Sequence, residues 1–340
     1  MAAANTAKPA FGATIMHLQP DSKYATEKPY FLDYEAPEDT PKSNTVLDPI
    51  TNIPIYDIRG RESDFTVEVN GFCLLKFDPQ MKHEDYYNDD KVRQIFLKNA
   101  AAAARQKLGA SRVQIFDYGV RKRQGDFPIC TGKFYEHLQP SSVAHIDTTE
   151  AYAEEVLWKL NPQEAPTIKK GKWQWFNIWK PLRGPLYDYP LTLLDISTVK
   201  RARDLEPRDT IQLREVNETY QIYPNQEHKW YYINGMMPDE AWLFIQSTST
   251  KGLPLQQLPP GKFIVKQQDE NEVGAARLAA NENAFTFLEA SDLVASYIFD
   301  LAGLKRPVST PGLLAVTLMD GQRHRGSLCS GGLDAVHFES

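Results

Sequence analysis

The chain reads as mainly β, a double-sheet jelly roll carrying helices on one face. Three observations predict this. Short alternating or apolar runs of strand length recur from residue 55 to residue 319, turn residues separate many of them, and two stretches carry a helical period with capping signals. Ile55-Tyr-Asp-Ile-Arg59 and Phe65-Thr-Val-Glu-Val69 alternate as strands do, and after a turn at Asn70-Gly71 the run Phe72-Cys-Leu-Leu-Lys-Phe77 continues the sheet. The first helix opens at Asp89-Asp90 and runs through Val92, Ile95, Phe96 and an alanine run to Leu108-Gly109. Val113-Gln-Ile-Phe-Asp-Tyr118 is the next strand. A strand end at His145 follows, with Thr148 or Thr149 capping a second helix from Glu150 to Leu160. Beyond Trp173 strands dominate: Trp175–Trp179, Leu191–Leu194, Tyr220–Tyr223, Lys229–Ile233, Ala241–Ile245, Asn283–Phe287 and Leu313–Met319. Residues 1–50, rich in Pro, Asp, Thr and Lys, read as an extended arm, and residues 321–340, polar and rich in Gly and Ser, as a loose tail. That leaves 51–320 as one domain.

Composition narrows the function. The 340 residues are 42% hydrophobic and 24% charged, enough to bury a sizeable core. A net charge of −6, with Lys and Arg scattered, gives no footprint for nucleic acid or for a membrane surface. Three cysteines form neither a zinc pattern nor a disulfide framework. The N-terminus lacks the apolar stretch of a signal peptide, and no apolar run approaches a membrane span, so a cytoplasmic location is expected. Five of the tryptophans, from Trp173 to Trp242, lie mid-chain, where they suit a core or a pocket for a bulky apolar ligand. Nothing points to a protein partner.

The feature richest in chemistry is His145-Ile146-Asp147. On a strand, residues i and i+2 share a face, so an imidazole nitrogen and a carboxylate oxygen converge. Such a pair is two thirds of the 2-His-1-carboxylate triad that holds Fe(II) with coordination positions left open.

Several separated segments resemble the AsaB/CmcJ-type hydroxylase–desaturase family, which includes gibberellin desaturase. They are Asn70-Gly-Phe72, Gly109-Ala-Ser-Arg-Val113 with Phe116-Asp117, and Val143-Ala-His-Ile-Asp-Thr-Thr149. In the family's order there follow Asn177-Ile-Trp-Lys-Pro-Leu182, Pro185-Leu-Tyr-Asp-Tyr-Pro-Leu191, and Asn225-Gln-Glu-His-Lys-Trp-Tyr-Tyr232 leading to Met237-Pro-Asp-Glu240. The resemblance implies a double-stranded β-helix core similar to that of the Fe(II)/2-oxoglutarate oxygenases, with Fe(II) and 2-oxoglutarate as cofactors. It also implies an apolar small-molecule substrate from secondary metabolism. His145 and Asp147 would be metal ligands and catalytic residues.

The family pattern also expects a histidine in a Pro-His-Thr-Ala-Phe motif. This chain reads Asn281-Glu-Asn-Ala-Phe285, which puts Glu282 at the third-ligand position, as an oxygen donor or as a solvated or structural carboxylate. The family's co-substrate arginine has its nearest match in Arg306-Pro-Val-Ser309, making Arg306 and Ser309 candidates to bind 2-oxoglutarate, with Lys180 as the other cation and Asn177 as a further pocket residue. The intervening segment, Leu288 to Gly303, reads as a short inserted helix. Period two sends Asn177 and Trp179 to one face and Lys180 to the other. His228 reads as a structural hydrogen-bonder beside Trp230. His324 lies in the polar tail, and His17, His83, His137 and His337 default to the surface. No nucleophile elbow, phosphate loop or dinucleotide fingerprint competes. Two functions stay open: an iron oxygenase that hydroxylates or desaturates its substrate, or a non-redox cyclase or isomerase on the same scaffold that has lost the third ligand and the co-substrate arginine.

Overall fold

The protein is represented by a computed structural model that describes residues 8–34, 36, 38–123, 137 and 140–249, together with the backbone of three later strands. Strands β1 (Phe11–Leu18), β2 (Tyr30–Leu32) and β3 (Leu47–Asp57) come first, then the short helix α1 (Val67–Asn70) and β4 (Phe72–Lys76). A helical run follows: α2 (Asp89–Lys91), a π-helical turn at Val92–Phe96, and α3 (Leu97–Leu108). Next are β5 (Val113–Ile115), β6 (Gly119–Lys122), β7 (His145–Ile146), α4 (Glu150–Leu160), α5 (Ala165–Ile168), β8 (Gln174–Pro181) and β9 (Leu191–Leu194). Helix α6 (Arg201–Asp204) leads into β10 (Leu205–Ile211), β11 (Val216–Ile222), β12 (Trp230–Tyr232) and β13 (Glu240–Thr248). The later strands are β14 (Ile264–Lys266), β15 (Ser291–Asp300) and β16 (Val336–Phe338).

Three sheets result, in strand orders β1-β3-β12-β9-β14, β2-β10-β11-β7 and β16-β5-β15-β8-β13-β4, with β6 paired to β15. The large sheet is covered on both faces, which is why every residue of β8 is buried and its sequence runs nearly uninterrupted in large side chains. On one face Phe176, Ile178 and Leu243 share a core with Phe96, Leu97, Ala100 and Ala104 of the helical run. The small alanine side chains let α3 approach the sheet closely. On the other face Phe72, Trp179, Trp242 and Phe244 join Leu191 and Leu193 of β9. Two sheets packed through aromatic inner faces, with helices outside one of them, make the jelly roll of the double-stranded β-helix class.

Differences from the sequence expectation follow physical lines. Phe65–Val69 is not a strand. The Thr66 hydroxyl accepts from Val69 N at 3.3 Å and starts α1, and Gly71, at φ 81°, ends it, so Asn70-Gly71 serves as a helix C-cap and not as a hairpin turn. A Cβ on Gly71 would also come within 2.8 Å of Ile196. The helix expected between Leu288 and Gly303 is instead β15, antiparallel to both β5 and β8. Its apolar run suits either state, and the central slot in the sheet decides for the strand. Part of the N-terminal arm is β1, bonded along its length to β3. Within the expected tail, the backbone of β16 pairs with β5. The two strands expected at Asn283–Phe287 and Leu313–Met319 lie outside the described residues.

Candidate functional site

Strand β7 is only two residues long and pairs antiparallel with β11, Ile146 opposite Tyr220 and His145 opposite Gln221. Ile146 is fully buried, so alternation turns His145 and Asp147 to the opposite face. The chain cannot continue as a strand, because Thr149 caps α4, its hydroxyl accepting from Tyr152 N at 3.2 Å. The pair is therefore held at a strand end, with side chains 20% and 16% exposed.

His145 Nε2 lies 3.1 Å from Asp147 Oδ1. His145 Nδ1 donates to Val143 O at 2.7 Å, which leaves Nε2 as the ring atom facing Asp147: with a proton it donates to the carboxylate, and without one it offers a lone pair to a cation. Asp147 Oδ2 accepts from Asn177 Nδ2 at 2.6 Å and from Gln246 Nε2 at 3.0 Å. Burial alone would raise the Asp147 pKa. The hydrogen bond and charge of His145, the Asn177 amide and the charge of Arg121 outweigh it and hold the carboxyl below the usual range.

Arg121 belongs to the same face by register. It pairs with Asp292 of β15, which pairs with Pro181 of β8, while Gly119 pairs with Val294, the partner of Trp179. Cross-strand partners share a face, so Arg121 projects from the side of the sheet that carries Asn177 and Trp179. Asp117 feels the charges of both Arg121 and Asp147. Desolvation by surrounding atoms, reinforced by Asp147, pushes its carboxyl up to about 6, although much of the residue's surface is accessible.

Of the residues singled out from sequence, His145, Asp147 and Asn177 come together. Asn177 spends its amide on Asp147. Lys180 does not join them: it is fully buried on the opposite face, its Nζ donating to Tyr86 Oη at 3.1 Å and to Pro181 O at 3.0 Å. Its ammonium also lies over the Tyr86 ring at 4.8 Å. Strand alternation points it at the helical layer, which corrects its assignment as a co-substrate anchor. His228 bonds Asp204 at 3.2 Å beside Trp230, far along the fold, as a structural residue. His17, expected at the surface, is instead 1% exposed. Glu282, Arg306 and Ser309 lie outside the described residues. Gln246 is a site residue that no sequence motif singles out, and the signal for it is a lone amide closing the apolar run Ala241–Ile245.

Among the described residues no three His, Cys, Asp or Glu side chains gather as a complete metal site. The two present do fit half of one. One imidazole nitrogen and one carboxylate oxygen face each other, while their other polar atoms are tied back to protein groups, the outer-shell arrangement that orients metal ligands.

A double-sheet jelly roll with a His-x-Asp pair at a strand end places the protein structurally among the double-stranded β-helix proteins. The chain belongs to the family described as Oxidoreductase/YMDC permease-like domain, whose profile matches residues 15–273. It is similar to the alpha-ketoglutarate-dependent dioxygenase phiK of a fungal species, 28% identical over 234 residues, 64% of this chain and 80% of that one. It is also similar to the hydroxylase/desaturase poxK of Penicillium oxalicum, 24% identical over 238 residues, 63% of this chain and 70% of that one. Among solved structures, the iron and alpha-ketoglutarate-dependent endoperoxidase NvfI superimposes with a TM-score of 0.69 at 21% identity, covering 86% of this chain and 98% of that one, a likeness of fold. The resemblance to hydroxylase–desaturases read from the sequence thus extends to relatives that carry that name.

Proposed function

We propose that the protein is an Fe(II)- and 2-oxoglutarate-dependent oxygenase that hydroxylates or desaturates an apolar small molecule of secondary metabolism. The observation that carries the reading is the presentation of His145 Nε2 and Asp147 Oδ1 toward one point, with Nδ1 and Oδ2 each occupied by protein groups. The names of the relatives phiK and poxK support it. His145 and Asp147 would hold the metal. When bound, such a centre supplies the oxidising power to take a hydrogen atom from an unactivated carbon.

The chain's own residues contribute positioning and exclusion of water. Asn177 and Gln246 orient the carboxylate, and Trp179, Trp242 and Phe244 pack as a buried apolar core on the Asn177 side of the sheet. Glu282 is proposed as third ligand, with Arg306 and Ser309 as the anchor for the distal carboxylate of 2-oxoglutarate. A His-Asp-Glu set carries one more negative charge than His-Asp-His and so weakens capture of an anionic co-substrate, which makes that anchor more necessary. The catalytic domain is proposed to centre on residues 51–320, with residues 1–50 contributing β1 and β2. No helix among the described residues is long and apolar enough to cross a membrane, and a cytoplasmic location is part of the proposal.

The test uses anaerobically purified protein with Fe(II) and 2-oxoglutarate added back, and measures succinate release with and without EDTA. Loss of turnover in chelator and in His145→Ala is expected. Glu282→His should retain or raise iron affinity. Full conversion of the native substrate in EDTA would overturn the oxygenase reading in favour of metal-free cyclisation or isomerisation on the same scaffold.

A further inference from the structure

The large sheet departs from regular pairing beside the site. On β13, Ile245 pairs with Phe176 of β8 and Ser247 with Trp175, so Gln246 has no partner on β8. It is the extra residue of a β-bulge, a device that re-aims a side chain. Gln246 is fully buried, yet both halves of its amide are used, and both on one residue. Its Oε1 accepts the Asp147 main-chain N–H at 3.2 Å, and its Nε2 donates to Asp147 Oδ2 at 3.0 Å. The amide orientation follows from this network, because a backbone N–H can only donate and a carboxylate can only accept.

A side chain that grips both the backbone and the carboxylate of one residue fixes the torsions between them. Asn177 Nδ2 adds a second donor to the same Oδ2 at 2.6 Å. With its two lone-pair directions taken, Oδ2 has no strong site left for a cation, and Oδ1, beside His145 Nε2, remains. Both donors are neutral amides, so the carboxylate is oriented while keeping its full charge. A lysine or arginine in either place would orient it but offset the charge that a cation needs.

We propose that Gln246 is the positioning residue of the metal site, locking Asp147 as a single-oxygen ligand through Oδ1. This rests on the oxygenase reading above.

The experiment titrates Co(II), as a spectroscopic stand-in for Fe(II), into metal-free full-length protein. Affinity is followed by calorimetry and by the visible d–d bands, for wild type, Gln246→Met, Gln246→Asn and His145→Ala. Methionine keeps the length and volume but loses both hydrogen bonds, while asparagine keeps the amide but withdraws it by one methylene. Far-UV circular dichroism checks the fold, and either folded variant decides. Co(II) affinity should fall about 10–100-fold in the Gln246 variants, the range for loss of an outer-shell partner, with altered d–d bands and an unchanged apo far-UV spectrum. Wild-type affinity and spectrum in a folded Gln246 variant would overturn the positioning role and leave the oxygenase reading standing. Absence of Co(II) binding by the wild type, or binding that His145→Ala leaves untouched, would remove that reading and this proposal together.

Discussion

Acid should destabilise this protein in part through one buried imidazole, His17. It sits on β1 at 1% exposure, its Nδ1 3.2 Å from Ile222 O on β11, while its Nε2 has no hydrogen-bond partner among the described residues. Burial opposes the charged form; the Ile222 carbonyl favours it and His228 repels it, and the balance lowers the pKa from 6.5 to about 4. Between those values the unfolded chain binds a proton that the folded protein refuses. The contribution is therefore fully present above pH 6.5 and is lost as pH falls through 4. The whole gap is worth about 3.4 kcal/mol, of which about 2.4 kcal/mol falls between pH 7 and 4.5. Urea denaturation of wild type and His17→Leu at those two pH values isolates the effect. The variant loses the Ile222 hydrogen bond at both pH values, about 1 kcal/mol, but no longer titrates there. His228, whose pKa burial also lowers against the pull of Asp204, is present in both proteins, and its contribution largely cancels in the comparison. The wild type should lose about 2.4 kcal/mol more than the variant between pH 7 and 4.5. Equal losses would refute the reasoning.

The remaining expectations concern caps, core and anchors. Thr149→Ala removes the N-cap of α4 and should lower stability by about 1 kcal/mol in urea melts, more if the bond to Glu218 is also missed. Phe72→Ala empties a site at the junction of Phe65 and Trp242, whose rings lie 5.5 and 5.4 Å away, and should cost about 3–5 kcal/mol, read as a lower urea midpoint at unchanged slope. Lys180→Met should leave the 2-oxoglutarate concentration for half-maximal turnover unchanged, since Lys180 faces the helical layer, whereas Arg306→Ala should raise it steeply. An equal rise in both would restore Lys180 to the site.

Much of the architecture is legible because its cause is local. The cap at Thr149, the helix ending at Gly109 and the strand at Trp175–Trp179 follow from residue types at fixed spacing. What escapes is decided by tertiary context. Val67–Asn70 coils because Thr66 and Gly71 cap it, although its alternation suits a strand. Residues 291–300 extend because the slot between β5 and β8 is there to be filled. His17 reads as a surface residue in sequence because nothing local reveals that β1 lies over β11. In the site, His145 and Asp147 could be found from spacing alone. Lys180 was placed on the other face from Asn177 by the same alternation, and its candidacy as an anchor rested on charge, which does not know which face is concave.

The Asn177 level of β8 shows why a regular sheet would not serve here. Both neighbours of β8 gain an extra residue beside this level: β15 between Ser296 and Ile298, opposite the step from Asn177 to Phe176, and β13 between Ile245 and Ser247, opposite the next step from Phe176 to Trp175. In unbroken antiparallel pairing, side chains stand in fixed rows about 4.7–4.9 Å apart across the sheet, which spaces polar groups evenly and aims them in parallel. Two donors reaching one carboxylate oxygen at 2.6 and 3.0 Å need converging directions, and a bulge turns its strand to supply one of them. The partner of this geometry is Ile146, whose burial anchors β7 and turns His145 and Asp147 out together. The core residue sets where the pair stands and the bulged strand sets how it is held. A substitution at Ile146 should therefore disturb metal affinity and stability together, whereas one at Gln246 should separate them.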